Sequence, residues 1–191
     1  MAELSPLERV ILSERSEVFR RLVDRLTFGE ATPTAPANII ANTGSLTEFA
    51  TAYGIGEGVL ARVGTLIRIS LFGSYGTDAT PPTLRVRAKI GGVAVVGTGT
   101  FTTTGSLTAR AWTITGNVFI TTLGASGAAE CYSSGAFSTG AKTEDPVHQS
   151  AAVGSINTTI SNDVRVDALW GTAAAANTIT LRMMLVEVMY P

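Results

Sequence analysis

The chain has 191 residues, with 14 Lys and Arg against 15 Asp and Glu, so its net charge of −1 gives no general attraction to nucleic acid or to an anionic membrane. A single cysteine excludes an intramolecular disulfide framework, and one cysteine with one histidine argues against a zinc site. No apolar run approaches the roughly 20 residues of a membrane-spanning helix. Charge is concentrated in residues 1–30, which predicts a helical head before a glycine-rich β body.

Residues 1–30 are predicted to form an amphipathic helix. Ser5 suits the N-cap, Pro6 suits the first helical position, and Phe28-Gly29 suits the end. An isolated helix of this length is only marginally stable in water, so its apolar side must pack against something. Five side chains recur along that side at spacings of four and seven and are the predicted interface residues: Leu7, Ile11, Val18, Leu22 and Leu26.

The partner of this helix is either the chain's own β body or another chain. Residues 31–40 contain Pro33 and Pro36 in an extended stretch of small residues, which predicts a semi-rigid spacer between the helix and a β body at 41–191. A spacer favours the intermolecular alternative, with copies of the same chain or a different protein as partner. Glu3, Glu8 and Arg9 interrupt any apolar core of a secretion signal, so we expect the chain to act without passing a secretion channel.

Beyond the spacer the apolar period changes from 3.6 to 2, which indicates β-strands. Residues 66–71 alternate, and residues 84–90 alternate most clearly, with four apolar side chains on one face and three cations on the other. Gly91-Gly92 then predicts a hairpin turn before a short apolar strand. Residues 111–115 and 118–121 flank Gly116-Asn117, a second candidate for a tight turn.

The rest of the body continues this pattern. Residues 163–170 alternate, whereas residues 178–188 change parity near Met184, which predicts a bulge or a strand buried on both faces. Residues 124–152 have poor periodicity, consistent with one exposed strand around 130–132 and a long loop at 142–148. Together these segments predict an all-β antiparallel sandwich of about eight strands.

No group of residues predicts catalysis or a bound cofactor or metal. Ser150, His148 and Asp145 lie too close in sequence for a Ser–His–Asp triad, so His148 is interpreted as a solvated residue. Adjacent acids at Glu144-Asp145 leave a weak calcium contact as the alternative. Cys131 is interpreted as a small core or strand residue, because no basic cluster adjoins it in sequence. We therefore expect a protein that is not an enzyme.

Two sets of charged residues remain to be interpreted. Asp163 and Asp167 share one face of a predicted strand and are interpreted as solvated. Arg85, Arg87 and Lys89 form a cationic row, interpreted as a wet sheet face, with an acidic partner or nucleic acid as the alternative.

Three stretches carry a resemblance to known proteins. They are residues 58–69 (GVLARVGTLIRI), residues 84–92 (LRVRAKIGG) and residues 166–181 (VDALWGTAAAANTITL). In this order and spacing they resemble an opening strand, an inner strand and the closing hairpin of jelly-roll structural proteins of tailed bacteriophages. The likeness spans about residues 58–190, and the pattern does not require the helix of residues 1–30.

The resemblance implies a jelly-roll body and a place in the virion. Members of the family decorate or cement the capsid, form head fibres, or serve as baseplate or receptor-binding parts of the tail, often as trimers. We therefore expect a homotrimeric decoration or cement protein, made in the host cytoplasm, that binds the major capsid protein or another virion protein on the capsid surface. The alternative is a head-fibre or tail protein. A carbohydrate-active enzyme on the same sandwich is third, and it needs two acids about 5–10 Å apart.

Overall fold

The computed structural model describes residues 39–139 and 143–191, and for residues 143–151 it describes the backbone alone. The predicted helix of residues 1–30 lies outside the described residues, as do residues 31–38 of the predicted spacer. The predicted interface residues therefore lie outside them too: Leu7, Ile11, Val18, Leu22 and Leu26.

Eleven strands form within the described residues. They are β1 (Ile39–Ala41), β2 (Thr47–Ile55), β3 (Leu66–Gly76), β4 (Thr83–Ile90), β5 (Val93–Gly97), β6 (Phe101–Thr102), β7 (Arg110–Thr122), β8 (Gly127–Ser138), β9 (Thr143–Ile156), β10 (Asn162–Trp170) and β11 (Thr178–Met189). The number exceeds the predicted eight partly because β1 and β6 contain three and two residues, too few for alternation to be detected.

The described strands pair into two antiparallel sheets. The six-stranded sheet has the order β1-β11-β3-β7-β8-β9, and the five-stranded sheet has the order β2-β10-β4-β5 with β6 paired to β4. This part of the chain is therefore an all-β sandwich, as the alternating segments predict. β1 includes residues 39 and 40, the last two of the predicted spacer, and it pairs with β11 at one edge of the six-stranded sheet.

The core lies between the two sheets and follows the alternation of the sequence. In β4 the four apolar side chains Leu84, Val86, Ala88 and Ile90 are all fully buried. Their register partners on β10 are the buried Trp170, Ala168, Val166 and Val164. At the other end of the core the rings of Trp112 and Phe137 stack with their centroids 5.9 Å apart. One face of each central strand is thus removed from water, which is the main stabilising contribution in such a fold.

The two predicted turns have different outcomes. Gly91-Gly92 joins β4 to β5 as predicted, and both glycines have positive φ, 56° and 85°, which suits a tight hairpin. The prediction of a turn at Gly116-Asn117 is wrong, because both residues lie inside β7. Gly116 faces the core, where an added Cβ would collide with the side chain of Val96. The close approach of Val96 on β5 therefore explains why residue 116 is glycine; the chain does not change direction there.

Residues 124–156 form two long strands where one strand and a loop are predicted. The strand around 130–132 is confirmed as part of β8, with Cys131 buried between exposed Glu130 and Tyr132. The loop predicted at 142–148 is wrong from residue 143 onward, because β9 pairs there with β8. The parity change near Met184 is confirmed as a bulge: Arg182 is one extra residue of β11 between the pairs that Leu181 and Met183 make with β3.

Candidate interaction site

The outer face of the six-stranded sheet carries a set of large apolar side chains among polar ones. Seven large apolar or aromatic side chains on four adjacent strands point away from the core, and we call this set the apolar face: Leu66, Phe72, Phe119, Tyr132, Met183, Leu185 and Met189. Five of them are half-buried, whereas Phe119 and Tyr132 are 38% and 48% exposed. Antiparallel sheets that face water usually carry polar side chains on the outer face, so seven large apolar ones on four adjacent strands make this face a candidate for association.

The register arranges the apolar face in rows across the strands. Met183 is paired with Phe72 in one row, and Met189, Leu66 and Phe119 form another. The bulge at Arg182 creates this arrangement, because it turns the odd-numbered residues from Met183 onward outward. With Arg182 paired in line instead, the outer face of β11 would have a different set of side chains.

A polar row crosses between the apolar rows. Arg68 and Glu187 form an ion pair of 3.5 Å, and the Nε of Arg68 also donates to the side-chain oxygen of Asn117 at 3.5 Å. Arg68 is 47% exposed at its side chain, so this pair contributes little to stability. It places a polar strip within the apolar face.

Two further contacts show that the side chains of this face shield one another. Ser70 lies on the outer face between Leu185 and Thr115 in the register, yet it is only 7% exposed. The rings of Phe119 and Tyr132 meet edge to face with centroids 6.4 Å apart, and the Tyr132 hydroxyl donates to Glu130 at 3.3 Å. Aromatic and methionine side chains are enriched at protein interfaces.

The outer face of the five-stranded sheet has the opposite character. Six charged side chains on β2, β4 and β10, which we call the charged face, form an ion-pair network: Glu48, Arg87, Lys89, Asp163, Arg165 and Asp167. The three carboxylates balance the three cations. The charges of these six side chains therefore neutralise one another, and Arg85 is a further cation on this side of β4.

Asp167 is the centre of this network. Its two carboxylate oxygens accept hydrogen bonds from Nε and Nη2 of Arg87, both at 3.1 Å, and Lys89 lies 3.2 Å away. The interpretation of Asp167 as solvated is wrong, because its side chain is 0% exposed beneath Arg87 and Lys89. The interpretation of Asp163 stands, since its side chain is 52% exposed.

The predicted cationic row is likewise engaged within the chain. Lys89 bonds both Asp167 and Glu48. Burial lowers the pKa of Lys89, but the hydrogen bonds to Glu48 and Asp167 outweigh it and raise the pKa above its usual value. The Nε of Arg85 is buried without a hydrogen-bond partner among the described residues. Two of the three cations are therefore committed to carboxylates, which weakens the alternative of an acidic partner for this row.

The remaining candidates lie on β8 and β9. The backbone places residues 145, 148 and 150 in one strand, β9. Cys131 is buried, as interpreted, and burial raises the pKa of its thiol to about 11. A cavity of about 60 Å³ adjoins it, lined also by Arg87, Val95 and Val153; typical ligand pockets hold about 300–1,000 Å³.

Two kinds of feature are absent from the part of the chain that the structure describes. The described residues contain no cluster of three or more His, Cys, Asp or Glu side chains placed to hold a metal ion. They also include no helix with the length and apolar character needed to cross a membrane.

One end of the sandwich presents three exposed aliphatic side chains on three separate loops. Val63, Leu123 and Ile160 are 56%, 41% and 51% exposed. Backbone hydrogen bonds hold these loops close together, from Gly64 to Ile120 and from Thr158 to Gly124, at 2.8 and 3.0 Å. This end is a second, smaller apolar surface.

Comparison of the chain with protein-family models, with curated proteins and with solved structures finds no match. The function must therefore be argued from the surfaces themselves. The apolar face escaped the sequence analysis, although β11 carried a signal: residues 183–189 (MMLVEVM) contain apolar side chains at both parities.

Proposed function

We propose that the chain is a structural protein of a bacteriophage virion, a homotrimeric decoration or cement protein that binds the outside of the capsid shell and stabilises it. The apolar face is the observation that carries the proposal. A sheet face with seven large apolar side chains is costly to leave in water, and association with protein removes that cost. Such a face suits a protein whose work is to bind other proteins.

The strand order supports the jelly-roll fold that the resemblance implies. Four strands of the six-stranded sheet, β1-β11-β3-β7, lie against β2-β10-β4-β5, and the chain passes repeatedly from one sheet to the other. Two packed four-stranded sheets connected in this way are the arrangement of a jelly roll. On this proposal β8 and β9 are an added hairpin that widens one sheet.

The three stretches that carry the resemblance fall on neighbouring strands of this arrangement. Residues 84–92 cover β4 and its turn, and residues 166–181 run from β10, which pairs with β4, into β11. Residues 58–69 lead into β3, which pairs with β11. The likeness therefore follows the central strands of both sheets, which supports a common fold, not a chance match of separate segments.

The test is the location and copy number of the protein in purified virions. A decoration protein should be present at a number close to that of capsid subunits or capsomer junctions, and a particle reconstruction should show it outside the shell. A few copies per particle, at the tail or on fibres, would contradict the proposal. Absence from the particle would overturn the virion role altogether.

The head-fibre or tail alternative has one observation in its favour. Val63, Leu123 and Ile160 cluster at the tip of the sandwich, where loops of a receptor-binding protein would meet a host surface. Binding of the purified protein to host cells, lost in a Leu123→Ser variant, would support this alternative. The enzyme alternative is tested by incubating the protein with a panel of glycans, and hydrolysis of any of them would support it.

A further inference from the structure

The apolar face lies beside the point where residues 1–38 join the described chain. β1 begins at Ile39, which pairs with Thr180 of β11 in an antiparallel register. Going back along the chain from Ile39 therefore leads along β11 from Thr180 toward Met189. Within the described residues β1 covers only Thr178–Thr180 of this edge, so the edge beside Met183, Leu185 and Met189 lies in the path of the preceding residues.

The length of the predicted spacer matches this path. Residues 31–38 include Pro33 and Pro36, and eight residues in an extended proline-rich conformation span about 25 Å. From Thr180 to Glu187 along β11 is about 23 Å. A spacer continuing in the direction of β1 would thus deliver residues 5–28, the N-terminal segment, to the far end of the apolar face.

The N-terminal segment matches the apolar face in size and chemistry. As a helix its apolar residues from Leu7 to Leu26 extend over about 28 Å. The apolar face runs about 20 Å along β11 and about 14 Å across from β11 to β8, a diagonal of about 25 Å. Each surface combines large apolar side chains with a few charged ones: Arg15 and Arg25 lie near the apolar stripe of the segment, and Arg68 and Glu187 cross the apolar face.

We propose that the apolar face is the docking site for residues 5–28 of a neighbouring copy of this chain. The direction of β1 favours a neighbour, because a spacer that continued it would lead along the sheet edge and past its end, and docking on the same subunit would then require a reversal at Thr27–Glu30. Exchange of the segment around a ring would join the homotrimer. The inference rests on the homotrimeric part of the proposed function and is independent of capsid binding.

Disulfide trapping in the full-length protein tests it. Leu22→Cys and Leu185→Cys are made as separate chains that differ in a size tag, mixed during refolding and oxidised. The expected product is a disulfide-linked pair containing one chain of each kind, seen on a denaturing gel without reductant. Native Cys131 is retained, because it is buried in the core of the same sheet and unavailable for exchange.

Each other product contradicts the proposal. Linked pairs of Leu185→Cys with itself would mean that two apolar faces meet directly, and linked pairs of Leu22→Cys with itself would mean that the segments meet each other. A disulfide that forms only within one chain carrying both substitutions would mean docking on the same subunit. No linkage of any kind would mean a different partner for the face.

A matched pair of variants gives a second readout. Leu185→Glu should convert the trimer to a monomer by light scattering, because it places a carboxylate under the docked segment. Ala52→Glu, at an exposed position on β2 in the opposite sheet, should leave the trimer intact. A trimer in Leu185→Glu would overturn the proposal. Linked chains that fail to bind capsid shells would leave the inference standing and refute only the capsid role.

Discussion

Arg87 and Asp167 form a two-pronged ion pair across β4 and β10, with both nitrogen–oxygen distances at 3.1 Å. The side chain of Asp167 is fully buried, whereas the side chain of Arg87 is 27% exposed. Arg87 therefore covers the charge that it neutralises. The pair also holds together the two strands that carry the centre of the five-stranded sheet.

Removing the charge of Asp167 should destabilise the fold. Asp167→Asn leaves Arg87 and Lys89 half-buried without their shared carboxylate, and loss of one partner from a buried pair costs about 3–5 kcal/mol. We expect about 2–3 kcal/mol here, because Arg87 retains access to water. Urea unfolding measures it. Asp163→Asn is the control, since this residue is on the same strand and its side chain is 52% exposed; equal losses in the two variants would contradict the prediction.

The two tryptophans should respond differently to the same substitution. Trp112 donates its indole N–H to the carbonyl oxygen of Thr180 at 3.2 Å, whereas the indole N–H of Trp170 is buried without a partner among the described residues. A buried unsatisfied donor costs about 1–3 kcal/mol, so Trp170→Phe removes a penalty along with the lost packing. Trp112→Phe should therefore be the more destabilising by about 1–2 kcal/mol in thermal and urea unfolding. A larger loss in Trp170→Phe would show that packing volume alone decides.

Gly73 should not tolerate a side chain. Its Cβ would collide with the carbonyl oxygen of Thr180 and with the indole of Trp112, which lies directly over it. Gly73→Ala must push apart β3 and β11 or displace Trp112, at a cost of about 3 kcal/mol. Gly154→Ala is the matched control, because its Cβ would meet no atom within 4 Å. Equal stability of the two variants would contradict the close packing of Trp112 on Gly73.

The thiol of Cys131 should make the protein sensitive to alkaline pH. Burial raises the pKa of this thiol from 9.0 to about 11, so above pH 9 the unfolded chain loses a proton that the folded chain keeps. The free energy of unfolding should therefore fall as pH rises from 9 to 11, by about 2 kcal/mol in total. Cys131→Ala should show a shallower decline over the same range. Parallel curves for the two proteins would mean that other groups cause the decline.

The sequence predicted the elements whose two faces differ. Residues 84–90 alternate strictly because β4 is central and one of its faces is buried, and Gly91-Gly92 allows the positive φ that its turn needs. The prediction was wrong where a residue type is required for a reason other than the local structure that it usually indicates. Gly116 signalled a turn, yet it is glycine because Val96 approaches it from the opposite sheet.

The candidate site was harder to predict because it depends on register. The residues of the apolar face come from four strands, and only the pairing of β11, β3, β7 and β8 brings them onto one surface. The burial of Asp167 could not be predicted either. The sequence places Asp163 and Asp167 on one face of β10. Only the pairing of β10 with β4 shows that Arg87 lies over Asp167 and not over Asp163.

The extra residue in β11 ties the identity of a whole surface to one position. If Arg182 instead paired in line with Phe72, the register of the rest of β11 on β3 would slip by one residue, and every later side chain of the strand would exchange inside for outside. Met184, Val186 and Val188 would then face solvent, and Glu187 would enter the hydrophobic interior. The unpaired Arg182 therefore lets two segments of opposite parity, before and after position 182, bury their apolar side chains in the same core.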